Sequence, residues 1–212
     1  MVLVYNKLSI RQEGFLMTQL YLVRHGQTEW SQSGRHTSVT DVDLTDVGRH
    51  QAESLRARLT PEDFGLILTS PRRRARTTAA LAGFPNAEVD EDLAEWYYGD
   101  FEGKTMAEIH QTTPDWRVWT GPAPGGESSA EVEARLFRVV DRVRESGVEK
   151  AICFSHGHAL RVLALCWIGI GIEHGGSFPV PTASVSILGY DAGVPAILTW
   201  NQTSYCDIQV VS

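Results

Sequence analysis

Apolar residues fall in short runs separated by stretches of helical period, a pattern that alternates strand with helix along the chain. Leu20-Tyr21-Leu22-Val23 reads as a short buried strand that runs into Arg24-His25-Gly26. Leu66 to Ser70 is a second apolar strand and Ala87-Glu88-Val89 a third. Ala151-Ile152-Cys153-Phe154 is an unbroken apolar run, as expected of a strand covered on both faces. A helix is predicted from Thr45 as N-cap, with Ala52, Leu55 and Leu59 on one face and Pro61 at its end. Another follows Pro71 through about Leu81, where Gly83 and Pro85 stop it. A short helix is expected from Thr105 to about Thr113. The capping box Ser128-Ser129-Ala130-Glu131 then opens one that carries Val132, Leu136, Val139 and Val143. Ser155-His156-Gly157-His158 turns the fourth strand into a helix from Ala159 to about Trp167. Alternating segments over Ala183 to Leu188 and Ala196 to Thr199 complete the sheet. Together these elements predict a three-layer α/β/α sandwich with a mostly parallel sheet. Residues 31–43 read as a polar loop. Residues 115–128 read as a second loop, whose Trp116 and Trp119 serve either as a lid or as satellite core.

Length and composition narrow the function classes. The 212 residues, 42% hydrophobic and 21% charged, suit one soluble domain over 18–212, with residues 1–17 as a loose N-terminal extension. That extension is interrupted by Asn6, Lys7, Arg11, Gln12 and Glu13, unlike a secretory signal, and no apolar run is long enough to span a bilayer. The formal net charge of -7 argues against nucleic acid or an anionic membrane as partner. It also requires that an anionic ligand find a locally positive pocket. Cys153, Cys166 and Cys206 form no CxxC pair, which suits a reducing cytoplasm, and the first two read as buried thiols. Oligomeric state is left open by the pattern.

Three predicted strands end in polar residues: Arg24-His25, Ser70 with the arginines after it, and Ser155-His156. Parallel strands bring their carboxyl ends to one edge, where ligands of such sheets bind. A cation beside an imidazole there is costly unless an anion is bound, so His25 is a candidate nucleophile on the floor of an anion site. The run Ser70-Pro71-Arg72-Arg73-Arg74-Ala75-Arg76 is either a solvated basic helix or the source of one guanidinium for the pocket. His156, at a helix N-terminus, is either a cap or an anion ligand. His158 has a weaker case, and His156 with His158 lacks the further ligands a metal site needs. Glu95, among apolar and aromatic neighbours, suits proton donation. Structural roles are expected for Glu102 and Glu127. Trp96, Tyr97, Tyr98, His36 and the Trp116/Trp119 loop are placed at the mouth.

Arg24-His25-Gly26-Gln27-Thr28 resembles the signature of the histidine phosphatase superfamily, the phosphoglycerate-mutase-like enzymes. Three further segments resemble that family in its order. They are Ser70 with Arg74-Ala75 and Thr78, Leu93-x-Glu95 followed by Gly99 and Glu102-Gly103, and Ser155-His156-Gly157. The resemblance spans residue 20 to about 190. It implies a phosphoglycerate-mutase-like fold and a small phosphorylated substrate, with neither cofactor nor metal. It further implies His25 as nucleophile, Glu95 as acid/base, and Arg24, Arg74, Ser31 and His156 around the phosphoryl group, with Arg72, Arg73 and Arg76 at the surface. Ser31 stands where the family often has Asn. Mutases of the family follow the acid/base Glu with Arg-His-Tyr-Gly, whereas Glu95 is followed by Trp96-Tyr97-Tyr98-Gly99. The cation expected to hold a phosphoglycerate carboxylate is therefore missing, and hydrolysis is expected rather than isomerisation. The rivals are a mutase and a non-catalytic phospholigand-binding module.

Overall fold

A computed structural model describes residues 17–203 of the chain. The expected N-terminal extension, but for Met17, and Cys206 lie outside the described residues. Six strands form one sheet: β1 (Gln19–Arg24), β2 (Leu66–Thr69), β3 (Glu88–Val89), β4 (Lys150–Ser155), β5 (Val185–Asp191) and β6 (Val194–Gln202). Their order is β3-β2-β4-β1-β5-β6. The first four are mutually parallel, but β5 runs antiparallel to both β1 and β6. The sheet is therefore mixed, with its parallel half where the polar strand ends lie. Between β5 and β6 the direction reverses through a tight connection. Ala192 (φ 48°) and Gly193 (φ 81°) both adopt left-handed backbone between Asp191 and Val194. A two-residue turn of that hand joins only antiparallel strands.

Two hydrophobic layers cover the sheet. On one face Leu20, Leu22, Ala151 and Cys153 pack against α5 (Ser129–Glu145) and α6 (Gly157–Ile168). On the other, Val23, Ile152 and Phe154 meet Leu55 and Leu59, which follow α2 (Asp46–Ser54), and Ala79 and Ala82 of α3 (Arg73–Leu81) and its end. β4 thus sends alternate residues into both layers, which is why its apolar run is continuous. Among the described residues no helix is long and apolar enough to cross a membrane.

Local differences from the expected elements have local causes. Residues 31–43 are not all loop, because Thr28 and Ser31 form a capping box that starts α1 (Glu29–Ser33), closed by Gly34 in left-handed backbone. α3 begins at Arg73, two residues beyond Pro71, because the Arg72 N–H donates to the Ser70 hydroxyl and holds the bend open. α4 (Met106–His110) is shorter than expected, and Thr105 caps it with Glu108. α6 starts at Gly157, with His156 as its N-cap residue. α2 ends before Pro61, which instead opens a separate 3₁₀ turn.

Candidate active site

The strand ends converge as the parallel register requires. Arg24 lies opposite Ser155 on β4, and the His25 and Ser70 amides extend the ladders to the carbonyls of Ser155 and Phe154. Beyond His25 the chain passes very close to α2. A Cβ on Gly26 would lie 2.3 Å from the Gly48 carbonyl oxygen, and one on Gly48 would lie 2.0 Å from the Gln27 carbonyl oxygen. Only glycine at both positions lets these backbones meet.

A cavity of about 170 Å³ opens at this edge, lined by Arg24, His25, Ser31 and Glu95 of the expected residues. His25 is 5% exposed, and its Nδ1–H donates to the Gly26 carbonyl at 2.7 Å. The lone pair of the imidazole is therefore on Nε2. Burial, then the Arg74 and Arg24 charges, hold this imidazole well below its ordinary pKa of 6.5, so it is neutral at pH 7. Arg24 donates from Nη1 to the Val180 carbonyl at 2.6 Å, while its buried Nε has no acceptor among the described residues. Its guanidinium lies against Gly157, where a Cβ would come within 3.4 Å of Cζ.

Glu95 is 8% exposed and held by backbone amides. Oε1 accepts from Ala159 at 2.8 Å and from Trp96 at 3.0 Å, and Oε2 accepts from His158 at 3.1 Å. The N-terminus of α6 therefore fixes the carboxyl group at the cavity wall. Ser31 reaches the wall, but its hydroxyl is engaged in the α1 cap, donating to the Thr28 carbonyl and accepting from the Thr28 amide.

Arg74 and His156, expected around the phosphoryl group, lie next to His25 in the buried part of the site. Both are buried, and neither is among the residues that line the cavity. Arg74 donates to the carbonyls of Thr37, Ser38 and Thr40 and, from Nε, to Nδ1 of His156 at 3.1 Å. The imidazole of His156 then pairs through Nε2 with the Ser70 hydroxyl at 2.7 Å, and its ring centroid lies 5.2 Å from that of His25. The donors of Arg74 go to the loop of residues 37–40 because Glu102 ties that loop down, accepting from the Ser38 and Thr40 amides. Glu127 is likewise structural, paired with Arg135 at 2.8 Å.

The aromatic residues divide. Tyr98 and His36 line the cavity, Trp96 is buried, and Tyr97 is exposed. Trp116 is core, packed on His36 and Phe101, while Trp119 covers the ring of His158 at 5.0 Å. His158, whose case from the sequence was the weaker one, lines the wall, as do Arg161 and Thr37, for which the sequence suggested no site role, and Gly34 and Arg35, which follow the Gln27-to-Ser31 run. A signal for Arg161 existed: it is four residues after Gly157 on α6, hence on the same helix face. Among the described residues no cluster of three or more His, Cys, Asp or Glu side chains suits a metal ion.

The fold and this cavity define a class: an α/β protein whose parallel strand ends bring a neutral imidazole, a guanidinium group and a carboxyl group to one cavity. The match to the family model for the histidine phosphatase superfamily (branch 1) covers residues 20–203, and the chain belongs to that family. It is 42% identical over 191 residues to an acid phosphatase of Mycobacterium tuberculosis, covering 88% of this chain and 94% of that protein. It is 35% identical over 190 residues to a sedoheptulose 1,7-bisphosphatase of Saccharomyces cerevisiae, covering 74% and 70%. The solved structure of an open reading frame product of Mycobacterium tuberculosis matches with a TM-score of 0.85 at 40% identity, covering 89% of this chain and 99% of that one. The chain is a phosphatase of this family.

Proposed function

We propose that the protein hydrolyses small phosphomonoesters in two steps through a phosphohistidine at His25. The observation that carries the reading is the bond from Nδ1–H of His25 to the Gly26 carbonyl, which leaves the Nε2 lone pair available in a residue of the cavity wall. In the first step Nε2 attacks phosphorus in line and the P–O bond to the alcohol breaks. Glu95 transfers its proton to the departing alkoxide oxygen. In the second step Glu95 takes a proton from water as its oxygen attacks phosphorus, the P–N bond breaks, and inorganic phosphate leaves.

Arg24, in the wall, is placed to donate to the equatorial oxygens. Arg74, whose Nε–H donates to Nδ1 of His156, and His156 itself are the further groups that stabilise charge on those oxygens. These guanidinium groups supply the positive charge that a metal ion supplies elsewhere, so turnover is expected to be unaffected by a chelator. Free buried thiols at Cys153 and Cys166 support a cytoplasmic setting.

Brief reaction with a radiolabelled ester, followed by quenching, tests the reading. An acid-labile, alkali-stable label is expected on the wild-type chain and none on the folded His25→Ala variant. Label on the variant would assign the nucleophile elsewhere. Release of inorganic phosphate without a bisphosphoglycerate requirement separates this reaction from a mutase, whose expected carboxylate-binding cation is replaced here by Trp96, a buried residue.

A further inference from the structure

The loop of residues 37–40 has no helix or strand of its own, yet it is held from two sides. The carbonyls of Thr37, Ser38 and Thr40 accept from the Nη1 and Nη2 groups of Arg74 at 3.0 to 3.2 Å. The Ser38 and Thr40 amides turn the other way and donate to the Glu102 carboxylate at 2.9 and 3.1 Å, and the buried Ser38 hydroxyl donates to it as well. The loop backbone is thus strung between a carboxylate and a guanidinium that share no direct bond among the described residues. Bonds from neutral donors to a carboxylate are charge-assisted, so the Glu102 side of this clamp is the strong one.

Little else fastens the loop. On its N-terminal side the His36 amide donates to the Lys104 carbonyl and the Gly103 amide to the His36 carbonyl. On its C-terminal side Asp41 accepts from the Arg73 amide at 3.0 Å. Between those anchors, the remaining bond from another segment among the described residues is a long one, from the Tyr98 amide to the Ser38 hydroxyl at 3.5 Å. Glu102 itself follows the 3₁₀ turn Gly99–Phe101, seven residues after Glu95 on the same segment. It does not line the cavity.

The geometry points to Glu102 as a positioning residue for phosphoryl transfer: by holding the amide side of the 37–40 loop, it holds the carbonyls that aim Arg74 and, through Arg74, His156. The guanidinium is a rigid plane, so a shift of the carbonyls that receive Nη1 and Nη2 tilts the whole fork. That tilt carries Nε–H off Nδ1 of His156, whose ring centroid is 5.2 Å from that of His25. Arg24, at the end of β1, keeps its place. Loss of the clamp therefore weakens stabilisation of the charge that develops during transfer more than it weakens binding of the ester. The inference rests on the phosphatase reading and adds to it a residue that touches neither substrate nor nucleophile.

The test uses the full chain and p-nitrophenyl phosphate, with orthovanadate as a mimic of the five-coordinate transition state and inorganic phosphate as a ground-state ligand. In folded Glu102→Ala, kcat is expected to fall roughly 10–100-fold, the order that a misplacement of about 1 Å produces, with KM changed far less. The inhibition constant for vanadate should rise in step with the loss of kcat, and that for phosphate should rise far less. Glu102→Gln should restore most of kcat, because the carboxamide oxygen can accept from both amides while its NH2 group donates to the Ser38 hydroxyl. Glu102→Asp keeps the charge but is one methylene short, and should resemble the alanine variant. If Glu102→Ala does not fold, these two decide: a fast glutamine variant with a slow aspartate variant supports the inference, and any other order overturns it. Folded Glu102→Ala with wild-type kcat and vanadate affinity, whatever its stability, would overturn it too. So would a rise in KM at unchanged kcat, which would mean that the loop shapes only the binding wall. In each of those cases wild-type turnover leaves the phosphatase reading intact. Failure of the wild type to turn over either p-nitrophenyl phosphate or propyl phosphate would overturn that reading and the inference with it.

Discussion

Arg74 donates its Nε–H to Nδ1 of His156 across 3.1 Å, and that bond determines where the proton of His156 resides. With Nδ1 accepting, Nε2–H donates to the Ser70 hydroxyl at 2.7 Å. Ser70 is therefore the last member of a buried chain running from a charged guanidinium through an imidazole to a hydroxyl. Ser70→Ala takes this acceptor from two N–H groups, the buried Nε2–H of His156 and the Arg72 amide. The expected cost is about 1–3 kcal/mol in denaturant unfolding, with a smaller effect on turnover than changes in the cavity wall. Unchanged stability would mean that water or another group replaces the hydroxyl.

His25 reacts as the neutral imidazole, and burial with two nearby guanidinium groups holds its pKa well below 6.5. A histidine of ordinary pKa would lose half of its nucleophilic form at pH 6.5. Here the neutral form persists to lower pH. The fraction of enzyme with a competent nucleophile is therefore expected to stay level as pH falls through 6.5. Rates of phosphoenzyme formation measured between pH 5 and 8 by quenching check this, and an acid limb centred near 6.5 would show that the ring titrates like a free one.

The same burial has an opposite consequence for stability. His25, His156 and His158 all have folded pKa values well below 6.5, while in the unfolded chain each titrates near that value. Below pH 6.5 the unfolded state takes up protons that the folded state refuses. Stability present above about pH 6.5 is thus lost as pH falls, by at most about 1.4 kcal/mol per pH unit for each histidine. The midpoint of urea unfolding is expected to drop between pH 7.5 and 5.5. His158→Phe, which removes one of the three titrations, should flatten that dependence, and an unaltered slope would show that His158 is not refused its proton.

Much of the site was legible because buried strands ending in charged residues are rare without a ligand to justify them. Arg24, His25, Ser70 and His156 all stand at such ends, and parallel register brings them together. What the pattern did not reveal depends on distant backbone. The partners of Arg74 are such a case: the carbonyls of Thr37, Ser38 and Thr40, more than thirty residues away, accept from its guanidinium. Ser31 entered the site only through the family resemblance, whereas Thr28-x-x-Ser31 also reads as the capping box it forms on α1. The reversal of β5 and β6 hinged on Ala192-Gly193, a weaker hairpin signal than Asn-Gly. Arg161 was obscured because it interrupts an apolar helix, where its significance depends on knowing that the helix begins at the cavity.

Glu95 combines a chemical role with a structural one, and a single substitution separates them. Its two oxygens accept three backbone N–H groups, from Trp96, His158 and Ala159. Glu95→Gln keeps the shape but turns one oxygen into an NH2 group, which then faces a backbone donor and leaves it unpaired at a cost of about 1–3 kcal/mol. The variant also has no proton to give the leaving alcohol. General acid catalysis contributes typically about 10²–10⁴-fold, so turnover of propyl phosphate is expected to fall by that order. p-Nitrophenolate departs readily without protonation, so its release in the first step should fall far less. The pre-steady-state burst of p-nitrophenol is then expected to survive while the steady rate drops, because dephosphorylation still lacks a base. Equal losses for both esters in the first step would mean that Glu95 holds the start of α6 in place and transfers no proton.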